Sequence, residues 1–75
     1  MEKKDTLFRI GKNIRKIRDE KSFSQQDMAA ACNFEKSNMS RIEAGRTNLT
    51  IGTLLKICEA LQVKLADIVD IEVDL

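Results

Sequence analysis

Seventy-five residues make one domain, close to the lower size at which a chain can build its own core. At 43% apolar, 33% charged and a net charge of +1, the composition is that of an ordinary globular chain. The sequence has no histidine, which excludes a His-based general base, a catalytic triad and a His-bearing zinc site, so an enzyme is not expected. It also contains no apolar window of about 18 residues and no signal-peptide core, so neither a membrane span nor export is expected and the location is read as cytoplasmic.

The first helix is expected to be capped by Asp5 or Thr6 and to run to about Glu20. Leu7, Ile10, Ile14 and Ile17 step by three and four, a stripe that faces a core. Arg9, Lys12, Arg15, Lys16 and Arg18 fill the remaining turns; the plain reading of them is a solvated face, and the functional reading is that one or two of them touch phosphate. The second helix is marked by Ser24 as N-cap and Asp27 at N3, a capping-box spacing, with Phe23 and Met28 placed to form a hydrophobic staple. Ala29, Ala30 and Ala31 allow another helix to approach closely. Asn33 stands at the turn that follows, where it tolerates the left-handed conformation.

Phe34 should anchor that turn, and a third helix follows from about Glu35 to Ala44. At about 100° per residue, Met39 and Ile42 point inward while Ser37, Ser40, Arg41 and Ala44 point outward, flanked by Lys36 and Asn38. Two short helices with a tight turn, the second carrying a polar outer face of small and donor-bearing side chains, suit a reader of base edges in the DNA major groove. Gly45 ends the third helix. After Arg46, Thr47 and Asn48, Thr50 caps a fourth helix whose core face is read as Ile51, Leu54, Leu55, Cys58 and Leu61. Cys32 and Cys58 fall at apolar positions without CxxC spacing and are read as small buried hydrophobes.

Gln62 and Val63 turn the chain into a short fifth helix near Leu65 to Val69. From Val69 to Leu75 apolar and acidic residues alternate, a period of two that fits a strand. The last nine residues hold four acids and no base. Without them, residues 1–66 carry 13 basic against 8 acidic side chains, the balance that phosphate binding needs.

The blocks FSQQDMA, NFEKSNMSRIEAG and LLKICEAL, with IRKIRDEKSF upstream, closely resemble the phage-repressor and Cro-like (xenobiotic-response-element type) helix-turn-helix family over residues 7–69. The resemblance implies an all-α, compact five-helix repressor-like domain over residues 1–69. The acidic extended tail at 70–75, read from its alternation, either frays or pairs with the same strand of a second copy. It implies that Gln25 braces the recognition helix and touches phosphate, and that Lys36, Ser37 and Arg41 read base edges. Asn38 and Ser40 support them, and Arg46, Thr47 and Asn48 lie against the backbone. Arg18 and Glu43 match an ion pair between the first and third helices. Departures are Glu35 at a usual Ser cap, which weakens that cap, Ser22, Asn33 and Gln62 at customary glycines, and Leu49 at a common proline.

The expected function is sequence-specific binding of double-stranded DNA in transcription regulation, by a homodimer built on helix four, helix five and the tail and reading a pseudo-palindromic operator. No cofactor, metal or small-molecule ligand is evident. With no sensor domain expected in 75 residues, control would come from concentration, operator arrangement or a separate partner. The alternative is a protein-interaction module that kept the fold but lost DNA binding. The outward face of helix three, with Lys36 and Arg41 and no large apolar patch, argues against it.

Overall fold

The structure is a computed structural model that describes residues 2–70. Five helices follow one another: α1 (Lys3–Glu20), α2 (Gln25–Cys32), α3 (Lys36–Glu43), α4 (Ile51–Leu61) and α5 (Leu65–Ile68). No strand occurs among the described residues. Residues 71–75, most of the expected pairing strand, lie outside them.

Helix α1 starts earlier than expected. Its N-cap is Glu2, whose carbonyl accepts from the backbone of Asp5 and Thr6 at 3.1 Å each, so neither of those residues is the cap. Lys3 and Lys4 are good helix formers, and Asp5 in the first turn favours the helix dipole, so the helix propagates back through them. Ile10 and Ile14 are buried, with Leu7 and Ile17 half-buried beside them.

At the start of α2 the capping box is present. Ser24 Oγ accepts from the Asp27 backbone and the Asp27 carboxylate accepts from the Ser24 backbone, both at 3.0 Å. These bonds favour the charged carboxylate and hold it below the usual range. Met28 is fully buried, whereas Phe23 stays 36% exposed. Glu35, the N-cap of α3, makes no side-chain cap bond, as its replacement of a hydroxyl residue implies.

Helices α1 to α4 all end in the same way. Ser22, Asn33, Gly45 and Gln62 take positive φ of 61°, 57°, 72° and 58°. The next backbone N–H in each case reaches five residues back: Phe23 to Arg18 at 3.0 Å, Phe34 to Ala29 at 2.8 Å, Arg46 to Arg41 at 2.9 Å, Val63 to Cys58 at 3.1 Å. This is the Schellman stop, and three of its four left-handed positions are occupied by residues with a Cβ.

The core joins α1, α2, α3, α4 and α5 through Ile14, Met28, Met39, Ile42, Ile57, Leu61 and Ile68, all fully buried. On α4 the expected core face is corrected. Ile51 and Leu55 are 62% and 51% exposed, and Ile57 takes an inward position instead. The apolar residues of α4 form two overlapping stripes, and packing on α2 and α5 selects the one through Leu54, Ile57, Cys58 and Leu61. The Asn13 side-chain amide donates to the Ile68 carbonyl at 2.8 Å and the Asp70 carbonyl at 3.4 Å, closing the end of α5 onto α1. Cys32 and Cys58 are free and buried, and burial pushes both thiols up.

Candidate nucleic-acid interface

The outward face of α3 is built as the periodicity implies. Lys36, Ser37, Ser40 and Arg41 are exposed, Asn38 is half-buried on the flank, and Met39 and Ile42 are sealed in the core. Arg41 Nε lies 3.5 Å from the Ser37 carbonyl one turn back, so the guanidinium stem follows the helix surface. Eight residues give α3 a length of about 12 Å, and a helix about 10–12 Å in diameter fits a major groove about 12 Å wide.

What makes this face rigid is a buried polar node at its far end. Arg18 of α1 donates to Glu43 of α3 through Nε at 2.7 Å and Nη2 at 3.1 Å, and through Nη1 to the Phe23 carbonyl at 2.6 Å. Both residues are 7% exposed. The hydrogen bonds to Glu43 outweigh the cost of burial and push the guanidinium pKa up, so Arg18 stays charged. Gln25, at the start of α2, donates to Glu43 Oε1 at 3.1 Å. One carboxylate thus ties α1, α2 and α3 together, and no buried polar side-chain atom among the described residues lacks a partner.

Two close backbone approaches set the crossing of α1 over α3. A Cβ on Gly11 would lie 2.4 Å from the Glu43 carbonyl oxygen and 2.7 Å from that of Ile42. A Cβ on Gly45 would lie 2.6 Å from Phe8 Cα. The importance of Gly11 went unread in the sequence, although a glycine inside a helical pattern is a signal of close approach. Asn13 was missed as well, since nothing local marks its partner 55 residues away.

After α3 the chain runs through exposed Arg46 and Asn48 and half-buried Thr47 before Thr50 caps α4, its Oγ1 accepting from the Thr53 backbone at 3.1 Å. This loop and the first turn of α1 (Lys3, Lys4 and Leu7) border a shared hollow. Gln25, the outer face of α3 and the Arg46–Asn48 loop are therefore carried on one braced unit. The described residues offer no group of three or more metal-ligating side chains and no helix long and apolar enough to cross a membrane.

A braced pair of short helices with an exposed polar second helix defines a helix-turn-helix DNA-binding domain. Residues 13–74 match the Cro/C1-type HTH DNA-binding domain model, and the chain belongs to that family. It is 33% identical over 60 residues to an uncharacterised HTH-type transcriptional regulator of Sinorhizobium fredii, covering 80% of this chain and 78% of that one. It is 36% identical over 62 residues to the control protein C.BamHI of Bacillus amyloliquefaciens, covering 81% and 76%. Among solved structures it is similar to the restriction-modification controller protein C.AhdI of Aeromonas hydrophila, with a TM-score of 0.80 and 26% identity over 83% of this chain and 94% of that one. The protein is a DNA-binding transcriptional regulator of the helix-turn-helix class.

Proposed function

We propose that the protein acts in the bacterial cytoplasm as a homodimeric controller of restriction–modification genes that reads a pseudo-palindromic operator through α3. The observation that carries the reading is the exposed Lys36–Ser37–Ser40–Arg41 face, held at its C-terminal end by the buried Arg18–Glu43 pair. Lys36, Ser37 and Arg41 read base edges, Asn38 and Ser40 support them, and Gln25, Arg46, Thr47 and Asn48 hold phosphates. The exposed Ile51 and Leu55, one turn apart on α4, supply an apolar patch for a second copy, extended by α5 and the tail. Similarity to two proteins named as restriction–modification or control proteins supports the biological setting.

Selection of bound duplexes from a random pool tests this. Expected are two inverted half-sites about 10 base pairs apart, with affinity falling steeply as salt rises. A lone half-site would remove the dimer. Binding that is flat with salt, or no enrichment, would favour the interaction-module reading.

A further inference from the structure

The proposed interface is basic or neutral except at one residue. Glu35 is the N-cap of α3, exposed and directly before Lys36 and Ser37. Its carbonyl accepts from the Asn38 and Met39 backbones at 3.0 and 3.1 Å, so the residue is fixed as part of the helix end. Its carboxylate makes no cap bond and has neither a donor nor a cation partner among the described residues. The Lys56 ammonium, which α4 brings to this turn, lies over the Phe34 ring instead, 5.7 Å from its centre. Glu43, the other acid between Asn33 and Asn48, is neutralised by Arg18. Glu35 is therefore the carboxylate of this stretch that is left without a partner.

We infer that Glu35 is a specificity-determining residue that accepts a hydrogen bond from the amino group of a cytosine at one position of each half-site. The N-terminal residues of the second helix in a helix-turn-helix meet base edges, which places Glu35 at the reading end of α3. An ionised carboxylate brings acceptors only, and phosphate repels it. The major groove offers it two kinds of donor, the N4 amino group of cytosine and the N6 amino group of adenine. Adenine sets its N7 acceptor beside that amino group, where it opposes the second carboxylate oxygen, and cytosine does not. Glu35 thus lowers affinity for DNA in general and recovers that loss only at a cytosine. A hydroxyl cap at this position would do neither. The inference rests on the proposed reading of DNA through α3 and assigns one base of the half-site to a residue outside the Lys36–Arg41 face.

The test selects bound duplexes from a random pool with wild type, Glu35→Gln and Glu35→Ala. Wild type should enrich cytosine at one fixed position of each half-site. Glu35→Gln should move that position to adenine, whose N6 and N7 suit an amide, and Glu35→Ala should leave it unselected. On the wild-type operator, thymine in place of that cytosine should weaken wild type about 10-fold per half-site and leave Glu35→Ala unaffected. Both variants should bind random duplex about 2- to 5-fold more tightly per subunit, the size of one charge repulsion removed at roughly 4–8 Å in water. The two variants lose the same charge, so a base preference that differs between them comes from the contact and not from charge. A cytosine that survives Glu35→Ala, or unchanged binding to random duplex in both variants, overturns the inference alone. If wild type enriches no site, the reading of DNA through α3 fails first and the inference falls with it. Because Glu35 makes no cap bond, both variants should melt close to wild type, which separates a lost base contact from a folding defect.

Discussion

The guanidinium of Arg18 and the carboxylate of Glu43 meet in two hydrogen bonds, 2.7 and 3.1 Å long, at the point where α1 crosses the end of α3. Removing either partner strands a buried charge. Arg18→Met or Glu43→Leu alone should cost about 3–5 kcal/mol, a fall in melting temperature of more than about 12 °C for a domain this size. The double variant should recover much of that loss, because an apolar pair leaves no bare charge. Calorimetric melting of the three proteins checks this, and a double variant no better than the singles would show the pair to be net stabilising.

The left-handed helix stops give a second prediction. Gln62 holds φ 58° with a Cβ, so Gln62→Gly should stabilise by about 0.5–1 kcal/mol, the left-handed strain less the added chain entropy. Gly11→Ala should do the reverse by about 3 kcal/mol or more, since its new methyl would strike the Glu43 carbonyl and push α1 off α3. Urea titration measures both. A neutral Gly11→Ala would mean that the helices part without cost.

Specificity is expected to sit on Arg41. Arg41→Ala should remove about 1–3 kcal/mol of discrimination between the selected operator and a single-base variant while circular dichroism stays unchanged. If discrimination survives, Arg41 touches only phosphate.

Ile51 and Leu55 make the dimer testable. Ile51→Asn with Leu55→Gln takes four large apolar side chains out of a two-fold interface, and the dimer dissociation constant should rise about 100-fold or more in sedimentation equilibrium. Deletion of residues 70–75 should weaken association as well. Unchanged association in both variants would place the interface elsewhere.

The helix boundaries around the reader are legible in the sequence, because their signals are local. Ser24 and Asp27 cap one another three residues apart, Asn33 and Gly45 sit where a left-handed residue must stop a helix, and Met39 and Ile42 take the inward face of α3 by period alone. The Arg18–Glu43 pair was legible only through family resemblance, since charge and spacing would have sent Arg18 to solvent. Which of two stripes on α4 faces the core is set by packing across the chain, which exposes Ile51 and Leu55 and buries Ile57. Only the fold shows why Gly11 is a glycine and what Asn13 holds. Each of these depends on the partner that a face meets across the chain, and no local periodicity carries that information.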